Sequence, residues 1–159
     1  MSGMHAVKAD LSAKIRDRSL SPEDHAKLVD QWSIMDDLWI QPNGALALYR
    51  AVRLNEPWEK NLKRRGHPYW STSEHGAEPY NAISGDMSLK DAVDVRIGAV
   101  LSSKAKVDWF HLWDTILHYH DVGEDELRLE PGLPLTIFSI WLDGKMLRKS
   151  PLLGKQLLS

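Results

Sequence analysis

Ala45-Leu46-Ala47-Leu48-Tyr49-Arg50-Ala51-Val52-Arg53-Leu54 is the stretch whose reading decides the fold. Apolar and β-favouring residues fill it, as in a buried strand, and Arg50 and Arg53 interrupt the run. An arginine inside such a strand needs an anionic partner, because an isolated buried charge carries a large desolvation penalty. Arg50 is therefore either paired with an acid of the chain or a clamp for an anionic ligand.

On the N-terminal side, Ser21-Pro22-Glu23-Asp24 combines a serine cap, proline at the first helical position and acids in the first turn, which starts a helix. Leu28, Trp32, Met35 and Trp39 continue it as one apolar stripe, so the helix is expected over about 21–39, ending before Pro42-Asn43-Gly44. Residues 1–20 are polar and mixed in charge, with no apolar stretch that reads as a signal peptide or a membrane span. A soluble, cytoplasmic protein is the expectation.

On the C-terminal side, Gly66-His67-Pro68-Tyr69-Trp70-Ser71-Thr72-Ser73 reads as a short strand ending in hydroxyls, and 74–82 as a helix. Val95, Ile97, Ala99 and Leu101 alternate. Val107 and Trp109 follow a Ser-Ser-Lys turn, which suggests a hairpin or two short strands over 94–109. Trp109, Leu112, Trp113, Ile116 and Leu117 have helical spacing. From Glu126 to Leu147 the pattern returns to strands, through Leu135-Thr136-Ile137-Phe138-Ser139-Ile140-Trp141 and a turn at Asp143-Gly144. The class is α+β, strand-rich in its C-terminal two thirds. No repeat, low-complexity tract or linker divides the chain, so residues 1–159 are taken as one domain.

Composition narrows the chemistry. With 43% apolar and 26% charged residues over 159 positions, the chain has the make-up of one globular domain that needs no staple. The absence of cysteine excludes disulfides, a thiolate nucleophile and a cysteine zinc site. A net charge of −2 leaves no general footprint for nucleic acid, although Lys63-Arg64-Arg65 forms one dense basic cluster, either a solvated turn or a patch for phosphates or a partner.

Three features occur in order: Arg50 within Leu48-Tyr49-Arg50-Ala51-Val52, the hydroxyl run Ser71-Thr72-Ser73 after Trp70, and Glu124-Asp125-Glu126 opening a late strand. Each alone is ordinary, since acidic triplets abound in surface turns. Together they resemble the R-S-E class of ADP-ribosyltransferases, over roughly 46–140. Ala77 and Tyr80 after the serine run match the family's small residue and aromatic. Leu127-Arg128-Leu129-Glu130-Pro131-Gly132 is similar to its ending.

That resemblance implies two packed, mainly antiparallel sheets with N-terminal and flanking helices, NAD as substrate without a metal, and release of nicotinamide. It implies that Glu126 holds the ribose of NAD and faces the charge that grows as the glycosidic bond breaks. Glu124 then acts on the acceptor. Arg50 clamps the pyrophosphate, Ser71 holds the late glutamate, Thr72 and Ser73 shape the strand behind it, and Tyr80 packs either on nicotinamide or in the core. The chemistry is coherent: an oxocarbenium-like transition state is stabilised by a fixed carboxylate, as in glycoside hydrolysis. In the family a Glu-x-Glu pair accompanies transfer to arginine, so a protein arginine is the preferred acceptor, ahead of a nucleic-acid one. A toxin or phage effector is the biological setting that such a compact enzyme suggests.

Two other readings compete. The fold can host a catalytically inactive binding protein, and seven tryptophans in one domain would suit an interface. His118-x-His120 followed by Glu124 resembles the first metal motif of cupins, although no later histidine supplies the second motif. Tyr119, between these histidines, is placed where related transferases put an aromatic to touch the target.

Overall fold

The computed structural model describes residues 2–54, 69–73, 93–123, 126–130, 132–143 and 145–149. Among them lie three helices, α1 (Met4–Ile15), α2 (Pro22–Asp37) and α3 (Trp109–Asp121), and one antiparallel sheet. Its strands are β1 (Leu46–Leu54), β2 (Tyr69–Ser71), β3 (Val93–Leu101), β4 (Glu126–Arg128), β5 (Leu135–Leu142) and β6 (Lys145–Lys149). They run in the order β4-β2-β1-β3-β5-β6. The α+β class and antiparallel pairing expected from the sequence are present. The two packed sheets are not: the described strands make a single six-stranded sheet.

Pairing explains the single sheet. β1 and β3 match along their whole lengths, from Leu46 opposite Leu101 to Leu54 opposite Val93, and β5 joins the far side of β3. Alternation then sorts the side chains. Leu46, Leu48, Val52, Val95, Ile97, Ala99 and Leu101 share a core with Met4, Val7, Leu11, Met35, Leu112, Trp113 and Ile116 of the helices. Ala45, Ala47, Tyr49, Ala51, Val100 and Phe138 form a smaller cluster on the opposite face. A bulge after Gly98 shifts the β3–β5 register and turns Phe138 onto that second face. A Cβ at Gly98 would collide with the Phe138 ring and Ser139 Oγ, so glycine is what lets the ring lie so close.

The helix expected over 21–39 forms, and its start follows the local chemistry. Ser21 Oγ accepts from the Asp24 N–H at 3.1 Å, with Pro22 as the first helical residue. Its end is earlier than the stripe suggested. Leu38 is already extended (ψ 142°), and Ile40 bridges to Leu46. Trp39 therefore leaves the helical stripe. It stacks on Tyr49 across a 6.2 Å centroid separation, meets Phe138 edge-on, and stays 41% exposed.

Two further differences have local causes. Residues 94–109 are one strand and a helix start, not a hairpin. Ser102 makes a turn, its carbonyl accepting from Ala105 N (3.0 Å) and its hydroxyl from Lys104 N (3.1 Å). Asp108 then caps α3 by accepting from His111 N (3.0 Å), so Trp109 opens a helix. Helix α1 was not expected from its polar surroundings, yet Met4, Val7 and Leu11 at i, i+3 and i+7 bury a narrow stripe. It is tied to the turn before β1, where Met4 N–H donates to Gly44 O (2.9 Å) and His5 Nε2 lies 2.8 Å from Pro42 O. The segments 63–65 and 74–82, given above as a basic cluster and a helix, lie outside the described residues. Among the described residues no helix is long and apolar enough to cross a membrane.

Candidate active site

Strands β1, β2 and β4 are consecutive in the sheet, and they carry Arg50, Ser71 and Glu126. Ser71 pairs with Tyr49 of β1 on one side and with Glu126 of β4 on the other. Residues directly opposite in antiparallel strands point to the same face, so Tyr49, Ser71 and Glu126 form a row. The flanking pair Trp70 and Leu127 points the other way and is 3% and 0% exposed in the helix-side core. That burial is what anchors the three-residue strand β4: burying one such side chain contributes about 2 kcal/mol. Glu126, at its first position, is half-buried.

The serine run is tied down locally. Ser71 is 1% exposed, and its Oγ accepts from the Ser73 N–H at 3.3 Å, as serine hydroxyls do in turns. Among the described residues no hydrogen bond joins Ser71 to the Glu126 carboxylate; their relation is one of register. Thr72 is 8% exposed.

Arg50 belongs by alternation with Leu48 and Val52, on the other side of β1 from Tyr49. Its Nη1 donates to Tyr69 O at 2.6 Å, holding the start of β2 against β1. Arg50 and Arg96 both line a small hollow with Tyr49, Gly98, Ser139 and Trp141. By register Arg96, opposite Ala51, lies on the Tyr49 face with the Trp39–Tyr49–Phe138 cluster, and Arg50 on the other.

A larger cavity of about 300 Å³ opens where the ends of β2 and β4 meet α2 and α3. Thr72, Ser73 and Glu126 line it, together with Ile34, Asp37 and Leu38 from α2 and Ile116 and His120 from α3. Its chemistry is two carboxylates, one imidazole and two hydroxyls over three aliphatic side chains. The structure thus brings Thr72, Ser73 and Glu126 together at one cavity and leaves Arg50 and Ser71 off its walls. Glu124 and Tyr80, both named as site residues from the sequence, lie outside the described residues.

Sequence reading did not name Asp37, and it named His120 only as a ligand in the cupin alternative. Helical spacing carried a signal for each. Ile34 and Leu38 are four apart with Asp37 between them, and His120 follows the buried Ile116 by four, so each polar group shares a helix face with an aliphatic one. The same spacing disfavours the cupin reading. His118 and His120 sit two apart in the last turn of α3, about 200° around the axis, and cannot close on one ion as ligands from a strand can. His118 instead meets the Tyr119 ring edge-on at 5.4 Å.

Compared with protein-family models, curated proteins and solved structures, the chain matches none.

Proposed function

We propose that this chain is a mono-ADP-ribosyltransferase that cleaves NAD, releases nicotinamide and passes ADP-ribose to a protein acceptor, with arginine preferred. The observation that carries the reading is the register of β4-β2-β1, which sets Ser71 opposite Glu126 on strands next to the one that bears Arg50. Three motifs far apart in the chain converge on neighbouring strands beside a cavity. An ADP-ribosyltransferase-like fold is part of this proposal, as is a cytoplasmic setting in which a toxin or phage effector modifies a host protein.

Charge distribution supports the reading. NAD is dipolar, with a cationic nicotinamide ring at one end and an anionic pyrophosphate in the middle. The sheet offers both signs, with Glu126 on β4 at the cavity and Arg50 two strands away on β1. Glu126 would stabilise the positive charge that develops on the ribose as nicotinamide leaves, an interaction stronger in the transition state than in bound NAD. Arg50 would meet the pyrophosphate, giving a charge-assisted, geometrically fixed contact. Glu124 is assigned to the acceptor, and Ser71-Thr72-Ser73 to the wall behind the ribose.

The test is direct. Purified protein is incubated with NAD labelled in the adenylate moiety, and free nicotinamide and labelled protein are measured in parallel. Glu126→Gln is expected to lower both by at least about a hundredfold, the scale of losing one preorganised electrostatic group. Glu124→Gln is expected to lower transfer more than NAD hydrolysis. No nicotinamide release and no labelling of any protein in a host lysate would overturn the activity and leave a catalytically silent binding protein, for which the exposed Trp39 is the anchor on the described surface.

A further inference from the structure

The three helices leave a space between them. A cavity of about 430 Å³ opens among α1, α2 and α3, and its described lining residues share nothing with the cavity at β2 and β4 or with the candidate site. Its apolar walls are Val7 and Leu11 of α1, Leu28 of α2, and Phe110, Trp113 and Leu117 of α3. On α3 these positions recur at three and four residues, so they share one side of the helix and run for two turns, about 10 Å. Trp113 is 6% exposed, but Phe110 lines the same cavity while 47% exposed. Apolar surface left open in this way and rimmed by polar groups marks a site of interaction.

Charge selects the partner. Among the described lining residues Lys14 is the one cation, and Asp10 holds it at 3.0 Å. Asp114 also lines the cavity, and among the described residues its carboxylate has no ion pair or hydrogen bond. Across α2 and α3 seven carboxylates accompany a single lysine and no arginine, in a chain whose net charge is only −2. Such a one-signed field draws cations to these two walls and repels anions. Backbone chemistry then selects the shape. Helices wall the cavity with side chains and offer no free backbone donors or acceptors, so an extended peptide would leave its own N–H and C=O groups unmatched there. A helix satisfies its own and needs only side-chain contacts.

We infer that this cavity is the docking site for a basic, amphipathic helix of a partner protein, whose apolar stripe rests on Phe110, Trp113 and Leu117 and whose lysines or arginines meet Asp114. The inference stands apart from the transferase reading. Phe110 and Asp114 are both exposed, so replacing either alters the docking surface with little effect on the core.

The experiment titrates the full chain, labelled with nitrogen-15, with a synthetic helical peptide of about 18 residues that carries leucines along one side and lysines on its flanks. Two peptides serve as controls, one with glutamate in place of every lysine and one of the same composition with its leucines dispersed around the helix. The basic amphipathic peptide is expected to shift the amides of Leu28, Trp113, Asp114 and Leu117, and to bind at least about tenfold more tightly than either control at low salt. Phe110→Ala is expected to weaken that binding about tenfold, as loss of an aromatic anchor does, and Asp114→Asn about threefold, the scale of a solvated ion pair. Equal binding of the glutamate or dispersed peptide, no shifts at these amides, or unchanged affinity in a folded Phe110→Ala protein would overturn the inference. Self-association of the free chain that Phe110→Ala abolishes would assign the cavity to a second copy and overturn it too. If that variant does not fold, the comparison of the three peptides on the unaltered chain decides alone.

Discussion

Gln41 should be a place where this protein can be made more stable by removing a polar group. The residue is 1% exposed, and neither its Nε2 nor its Oε1 has a hydrogen-bond partner among the described residues. Its backbone, by contrast, is fully used: the N–H donates to Ala45 O and the carbonyl accepts from Gly44 N, both at 2.8 Å. Substitution therefore changes the side chain and leaves the turn intact. An amide buried without compensation destabilises a protein by about 1–3 kcal/mol, and methionine fills nearly the same volume without that penalty. Gln41→Met should raise stability by about 1–3 kcal/mol, or roughly 2–4 °C in Tm for each kcal/mol at this chain length. Urea denaturation followed by far-UV circular dichroism is the assay, with a higher midpoint and an unchanged slope as the expected result. A lower midpoint would show that the amide is held by hydrogen bonds in solution, and the reasoning would fail.

Other outcomes can be checked in the same way. Gly44 has φ +90° and a Cβ there would press on the Ser2 carbonyl, whereas Gly132 has φ +84° and open space around it. Gly44→Ala should lower stability by about 2 kcal/mol or more and Gly132→Ala by about half that, measured as Tm, because only the first adds an overlap to the backbone strain. Leu127 is 0% exposed, so Leu127→Ala should lower unfolding free energy by about 2–5 kcal/mol. Nicotinamide release should fall with it, as the anchor of the Glu126 strand is lost. The Asp17 carboxyl is held below the ordinary aspartate value by hydrogen bonds from the Ser19 hydroxyl and, second, its backbone N–H. A carboxyl lowered on folding stabilises the native state above its unfolded value and loses that contribution as pH falls through the folded one. Ser19→Ala should move the Asp17 titration upward in a carbon-13 NMR experiment, and no movement would reject the hydroxyl as the main cause.

Much of the architecture was legible along the chain because it depends on local chemistry. The cap at Ser21 and Pro22, the alternation of Val95, Ile97, Ala99 and Leu101, and the 3.6-residue spacing from Trp109 to Ile116 each produced the element they imply. One element was passed over and one misread where the local signal is thin. Helix α1 rests on three buried residues in a polar segment, and the Ser102 turn leads to the Asp108 cap with no strand after it. Trp39 shows the limit of periodicity: the spacing fitted the helix, but the chain had already become extended at Leu38, and the ring packs across the sheet on Tyr49.

The candidate site divides along the same line. Arg50, Ser71 and Glu126 were singled out by a family resemblance that rests on residue types and their order along the chain. That Ser71 faces Glu126, and that Arg50 falls on the other side of β1 from Tyr49, follows from strand register, which depends on partners far away in the chain. Asp37 and His120 join Glu126 at one cavity only because α2 and α3 pack on the same face of the sheet, a placement set by burial of Met35, Leu112 and Ile116 and not by anything written at positions 37 or 120.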